Sequence, residues 1–366
     1  MVGIFQDSLI GTAEFTKKGI KMDKWHAMTM LSQVSIPNKT FKFDKEMYTN
    51  REIISMILPP INISGVKPQI YMEQYAHIIN YDKEDIKIEI QRGKLIQGIL
   101  DKKIGGQEKS NTIFQIINND YGADRCLDTI YSFQQITMRF LLHYGFTVGL
   151  KDLVISEKAV KEVKRRTRKL MLEAEEITKQ LDKGTLIPPI GMNIQDYYEA
   201  EQLNALQPGD DFVEPILSDV DFETNNLARL IFTGSKGKMG QFISMNAAVG
   251  SQTVDGRRPQ EVFGHARTSP FYLRYDKSPE ANGYVAQSYF EGVKPSTFPY
   301  IAAEARHSMI SNALSTSISG HQNRLSIKNL ESIITDNHHR SSKGNNIVQL
   351  LYADTGFNPS YMEIVK

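Results

Sequence analysis

The sequence predicts an α+β chain that is predominantly helical, and three observations carry that reading. Ser156 precedes a run to about Asp182 that contains neither glycine nor proline. A serine cap before such a run opens a helix of roughly 40 Å at 1.5 Å per residue. Ile86-Lys87-Ile88-Glu89-Ile90 alternates strictly, and Arg92-Gly93 separates it from a second apolar run at 95–100, the pattern of two strands joined by a turn. Finally, Ser296 or Thr297 can cap a helix with Pro299 in its first turn, and no further proline follows until Pro359.

The remaining elements follow in order. In residues 1–150, which read as mixed α and β, helices are expected at about 44–58, ending at Pro59-Pro60, and at 112–118 and 126–142, before a turn at 145–149. From 151 the charged helix runs to a break at 184–191 containing Pro188-Pro189, followed by helices at about 195–206 and 219–233. Long helices with a proline-rich reversal predict an antiparallel hairpin standing off a body. Residues 234–295 are rich in turns, among them Gly234-Ser235-Lys236-Gly237, Ser278-Pro279 and Asn282-Gly283.

The helix expected from about 298 to 336 has an unusual middle. Ser311, Asn312, Ser315, Thr316, Ser317, Ser319 and Gly320 are poor helix formers, so bending is expected there. Ala302, Ala305, Met309, Ala313, Thr316 and Gly320 fall three or four apart and make one small-residue face. Ile310, Leu314 and Ile318 make an apolar stripe expected to anchor the helix. The small face suits either another backbone in ordinary helix packing or a closely approaching nucleic acid.

Composition excludes several classes. There are 43 Lys plus Arg against 42 Asp plus Glu, a net charge of +1, so the chain lacks the basic excess of a free-standing nucleic-acid binder. Its single cysteine, Cys126, rules out a disulfide framework and a multi-thiolate zinc site. No apolar run near 18 residues marks a membrane span, and the opening residues lack a signal-peptide pattern. Gly234-Ser235-Lys236-Gly237 lacks the spacing of a nucleotide-hydrolase P-loop and reads as a flexible loop with an exposed lysine. Asp219-Val220-Asp221 could suggest a metal pair, but two acids before a helix fit its free N–H groups better. His338-His339-Arg340 reads as a solvated loop.

Several segments, in order, resemble the largest subunit of multi-subunit DNA-directed RNA polymerases of the Rpb1 type, especially the eukaryotic, archaeal and large-DNA-virus forms. They are 3–9 (Gly-Ile-Phe-Gln-Asp-Ser-Leu) with Phe15-Thr16-Lys17-Lys18, Ile57-Leu58-Pro59-Pro60-Ile61-Asn62, 93–103 (Gly-Lys-Leu-Ile-Gln-Gly-Ile-Leu-Asp-Lys-Lys), 145–149, 234–237, 249–259 (Val-Gly-Ser-Gln-Thr-Val-Asp-Gly-Arg-Arg-Pro), and 283–292. The resemblance implies a pore-like region at 1–150, a funnel-like region at 151–295 lining the channel through which NTPs enter, and a bridge helix with the start of the cleft region at 296–366. It implies template and RNA contacts by Arg306, Thr316, Ser317, Gly320 and Arg324, and channel roles for Lys236, Gln252 and Arg257. This chain has His321 where the family often has tyrosine, and Ser311 and Ser315 where aspartate and lysine are usual. The family's metal-binding aspartate loop and trigger loop have no counterpart in these residues. The implied chain is therefore a piece of a split or longer subunit, of large-DNA-virus type, with no catalytic or metal residue of its own and no zinc. It would take part in RNA synthesis from NTPs with Mg2+ held by another part of the polymerase. Its implied partners are the rest of the largest subunit, the second-largest subunit, DNA template and nascent RNA, with no membrane. Its implied location is intracellular: virion or host cytoplasm if viral, otherwise the nucleus. The alternative is a catalytically inactive polymerase-like scaffold or regulatory protein.

Overall fold

Caps and left-handed turns fix where the elements of the N-terminal region start and stop. The computed structural model describes residues 2–356 apart from 35, 38–39, 76, 79–81, 83, 108, 223, 262–265, 336–339, 345 and 352–354. The helices of this region are α1 (Asp7–Thr16), α2 (Lys24–Leu31), α3 (Asn50–Ile57), α4 (Lys102–Gly105), α5 (Ile113–Tyr121) and α6 (Ala123–Tyr144). Its strands are β1 (Lys21–Asp23) and β2 (Met47–Thr49), which pair antiparallel, and β3 (Ile63–Val66), β4 (Ile88–Gln91) and β5 (Lys94–Gln97), which form an antiparallel sheet in that order.

The helix expected from 44 starts instead at Asn50. Thr49 and Glu52 form a reciprocal capping box, with Thr49 N donating to Glu52 Oε2 at 2.8 Å, so the residues before the cap are free to pair as β2. The β4–β5 hairpin turns at Arg92 and Gly93, both with positive φ (49° and 76°). A Cβ on Gly93 would lie 2.4 Å from the Pro59 carbonyl oxygen, so close packing as well as φ demands glycine there. The core beneath these elements joins Phe15, Ile53, Ile57, Phe114, Ile117, Phe133 and Ile136, all essentially buried. Burying each such side chain contributes about 1.5–3 kcal/mol. The Phe114 and Phe133 rings meet edge to face at 5.6 Å.

The next region contains α7 (Glu157–Asp182), α8 (Ile194–Ala205), α9 (Val213–Leu217), α10 (Asn226–Phe232) and α11 (Met239–Asn246), and the short antiparallel pair β6 (Gly250–Ser251) and β7 (Tyr284–Val285). Ser156 caps α7 as expected, accepting from Ala159 N. Helices α7 and α8 run antiparallel. Gln202 Nε2 donates to Ala174 O at 2.7 Å, and the Thr178 and Tyr198 hydroxyls lie 3.1 Å apart. Their connection leaves Ile187 and Ile190 exposed. The helix expected from 219 begins only at Asn226, because Asn225 is the cap and accepts from Ala228 N at 2.8 Å. Asp219 accepts instead from Ser156 N, at the start of α7. A second core packs Val163 with Phe212, Ile216, Phe232 and Phe242.

Residues Met1–Pro299 form one compact unit and Tyr300–Lys366 a second. The second contains most of α12 (Phe298–Leu330) and an antiparallel sheet of β8 (Ile333–Thr335), β9 (Ser341–Lys343) and β10 (Asn346–Gln349), with β9 central. The long helix is thus one continuous element, but it ends at Leu330, short of the expected 336. The β-branched run Ile333-Ile334-Thr335 pairs with β9 instead. The 338–339 histidine pair lies outside the described residues. Among the described residues no helix is long and apolar enough to cross a membrane. Cys126 is buried, its Sγ donating to Phe114 O at 3.2 Å.

Three buried ionisable groups tie the first unit together. Arg229 of α10 pairs with Glu14 of α1, both side chains under 5% exposed; burial lowers the guanidinium to about 10, so it remains charged at neutral pH. Asp101 caps α4, accepting from Lys103 N at 3.0 Å and also from Ile70 N at 2.8 Å. Burial pushes its carboxyl up to about 7 against these donors.

Removing one member of a buried pair strands the other's charge. Arg229→Ala is therefore expected to cost about 3–5 kcal/mol of unfolding free energy, measured by urea denaturation, whereas replacing both partners with apolar residues should cost far less. For Asp101 the folded pKa lies above the unfolded value of 3.8. Its stabilising contribution is fully present below that value and is lost as pH rises through about 7. The melting temperature of the native chain relative to Asp101→Asn should fall between pH 5 and 8; a constant difference would contradict the shift.

Candidate nucleic-acid interface

Backbone hydrogen bonding holds α12 together where its side-chain preferences are poorest. Thr316 Oγ1 donates to Asn312 O at 3.1 Å and Ser319 Oγ to Thr316 O at 3.3 Å. These hydroxyls are satisfied within the helix, which continues unbroken through its weak centre. At 3.6 residues per turn, Arg306, Ser317, Gly320 and Arg324 fall within an arc of about 60°, with Thr316 about 40° further round. Ala313 lies inside the same arc. The two arginines are about 27 Å apart along the axis. All five predicted contact residues are exposed, and a Cβ on Gly320 would meet nothing within 4 Å.

The adjoining arc carries Ile310, Leu314, Ile318 and Leu325. Ile310, Leu314 and Ile318 were expected to anchor the helix, yet Leu314 and Ile318 are each 56% exposed. Every residue from Ser308 to Leu330 is exposed. The apolar periodicity is real, but its partner is not among the described residues.

In the first unit, Lys236 and Arg257 are exposed and Gln252 is buried. The Gly234–Gly237 loop is held from below: Ser235 Oγ donates to Gln6 O at 2.6 Å, and Lys102 N donates to Thr233 O at 3.3 Å. Gly234 has φ 74°, and a Cβ there would approach the Lys102 side chain to 2.8 Å. The loop thus clamps onto the N-terminal region and presents Lys236 outward. Asp255 and Gly256, with φ 53° and 73°, make a tight turn in which Val254 and Arg257 exchange backbone bonds of 2.9 and 3.1 Å. Gln252 faces inward, its Nε2 donating to Gly250 O at 3.5 Å.

Sequence reasoning passed over Arg258. Its guanidinium makes two 2.8 Å bonds to Glu199 and lies 5.3 Å from the Tyr198 ring centroid. This fixes the 255–259 turn to α8. The Asp-Gly turn at 255–256 was the available signal, because neighbouring residues beyond it point to opposite sides. Glu14 and Arg229 carry no local motif, and only the fold brings them together; Asp101 meets Lys103 N locally, and only the fold brings it to Ile70 N. Among the described residues no group of three or more His, Cys, Asp or Glu side chains could hold a metal ion.

The family model described as RNA polymerase Rpb1, domain 3, matches residues 1–153, and that described as RNA polymerase Rpb1, domain 4, matches residues 177–285. The DNA-directed RNA polymerase RPB1 homologs of African swine fever virus, in the Badajoz, Pretoriuskop and Kenyan pig isolates, are each 34% identical over 373 aligned residues. The alignment covers 100% of this chain and 26% of each viral protein, so the chain spans about a quarter of the length of these relatives. Two consecutive domains of one subunit, in the right order, together with similarity along the whole chain, establish its kinship: it belongs to the family of Rpb1-type largest subunits of DNA-directed RNA polymerase.

Proposed function

We propose that this chain contributes to template-directed RNA synthesis, with α12 lying against the template and the RNA 3′ end and the first unit shaping the path by which NTPs arrive. The observation that carries this reading is the exposed arc of α12, which has a cation near each end and the small residues Ala313, Ser317 and Gly320 between them. Arg306 and Arg324 would contact backbone phosphates, giving affinity without sequence preference. The small centre leaves room for a base pair, with the Thr316 hydroxyl at its edge.

Lys236 and Arg257, both exposed, would meet NTP phosphates in the channel. Gln252 would act indirectly, holding the Gly250 backbone rather than touching substrate. The α7–α8 hairpin would form part of the channel wall. In the reaction, the RNA 3′ hydroxyl attacks the α-phosphate and pyrophosphate leaves. The Mg2+ that neutralises this charge belongs, in this reading, to the part of the subunit outside this chain. The partners are then the rest of the largest subunit, the second-largest subunit, DNA, RNA and NTPs. The setting is intracellular, in a virion or host cytoplasm for a viral enzyme. Bending at 311–320 would accompany translocation, a conformational step of the kind that limits turnover.

Thr316→Leu with Ser317→Leu in the assembled polymerase should slow elongation at least about tenfold, a loss of about 1.4 kcal/mol in transition-state stabilisation; an unchanged rate would sink the role of α12. Gly320 offers a second test with opposite signs. Its position is open, so Gly320→Ala should stabilise α12 by about 1 kcal/mol in this chain alone, read as increased helicity by circular dichroism. The same methyl group should slow the assembled enzyme, where the close approach is used.

A further inference from the structure

A groove of about 780 Å3 lies in the first unit, between β1, the segment before β2, α3 and β5. It shares no residue with α12 or with the Lys236 and Arg257 loops. Its floor is apolar: Ile20, Met56 and Leu95 line it, and Ile96 stands 49% exposed at its side. Six cationic side chains line it against two carboxylates, Asp44 and Glu52. Three of the cations are neutralised locally. Arg51 bonds Asp85 at 2.6 Å, Lys18 bonds Glu84 at 2.9 Å, and Lys45 pairs with Glu52. The other three, Lys21, Lys42 and Lys94, are exposed and make no ion pair among the described residues.

Apolar floor and uncompensated basic rim call for an occupant with both characters. We propose that this groove docks an acidic segment of a partner protein, with apolar side chains entering between Ile20, Met56 and Leu95 and carboxylates meeting Lys21, Lys42 and Lys94. The size suits a few side chains, in the range of ordinary ligand pockets. A nucleic acid fits it less well. Strand binding without base readout relies on a continuous positive track and on exposed aromatic rings. Here half the cations are already paired, Asp44 and Glu52 interrupt the track, and Tyr48, the ring lining the groove, is 4% exposed. Such docking would add a protein contact that uses none of the residues assigned to nucleic acid or NTPs, and would stand or fall independently of the role given to α12.

The test uses the full chain and a short fluorescein-labelled peptide in which glutamates alternate with leucine and phenylalanine, followed by anisotropy. The same peptide with glutamine for glutamate and an oligothymidylate of equal charge serve as comparators. Lys21→Glu, Lys42→Glu and Lys94→Glu together should weaken peptide binding at least about tenfold, as should Ile96→Glu alone. All four sites are exposed, and an unchanged melting temperature would establish that the variants fold. Added salt should weaken the native interaction, and the glutamine peptide should bind more weakly than the acidic one. The proposal is overturned if the acidic peptide binds native and triple-variant chains equally, if it fails to bind the native chain, or if the oligothymidylate binds in preference to it.

Discussion

The first unit depends on a charge pair that water cannot reach. Glu14 on α1 and Arg229 on α10 come from distant parts of the chain and meet with both side chains under 5% exposed. Desolvating two ions is costly, and their attraction offsets that cost only when the geometry holds both helices in register. The contact is therefore better understood as fixing one arrangement than as adding much net stability. Around it the same two regions are stitched by neutral bonds, Ser235 Oγ to Gln6 O and Lys102 N to Thr233 O. The Gly-Ser-Lys-Gly loop, which in sequence resembles a phosphate cradle, is thus a clamp whose glycine permits close approach and whose serine is used up internally. What the loop presents outward is Lys236.

Helix α12 obeys the opposite physics. Most helices in proteins owe their stability to an apolar face buried in a core. Here the exposed stretch from Ser308 onward keeps its backbone bonded while Ile310, Leu314, Ile318 and Leu325 face outward. A continuous apolar stripe of that kind marks an interaction surface rather than a solvated face. With the small-residue arc beside it, the helix carries two adjacent exposed surfaces, one apolar and one of small residues with an arginine near each end. Both are consistent with an element that completes its packing only within a larger subunit.

The sequence revealed elements whose signal is local and hid those whose signal is a choice between local options. Ser156 before an uninterrupted run, and Arg92-Gly93 between apolar strands, each leave one reading, and α7 and the β4–β5 hairpin formed accordingly. The 44–58 and 219–233 stretches were over-read because apolar content continued upstream of the true caps, Thr49 and Asn225. Thr49 with Glu52 is a capping-box pattern, so the first boundary could have been found. Strand β3 was missed because Ile63-Ser64-Gly65-Val66 is too short to show alternation, and its pairing with β4 is a tertiary event. On α12, periodicity gathered Ala302, Ala305, Met309, Ala313, Thr316 and Gly320 on one face, whereas Arg306, Ser317 and Arg324 were singled out by the family resemblance and not by periodicity. Periodicity could not tell that Gln252 and Arg258 would turn inward, since that depends on Glu199 and Gly250 lying behind them.

Charge placement decides how a nearly neutral chain can meet a polyanion. With 43 basic and 42 acidic residues, no long-range field steers nucleic acid to it, and much of the positive charge is cancelled at short range, as where Glu162 engages both Arg165 and Arg166. On α12 the arrangement differs. Between Arg306 and Arg324 there is no aspartate, glutamate or lysine, and the flanking acids are Glu304 and Glu331. Apart from two histidines, the middle of the helix is neutral. A phosphate backbone laid along this face would meet a fixed cation near each end and no carboxylate to repel it between. Because exposed charges interact only over about a Debye length, roughly 8–10 Å, this local vacancy of negative charge matters more to contact than the balance of the whole chain.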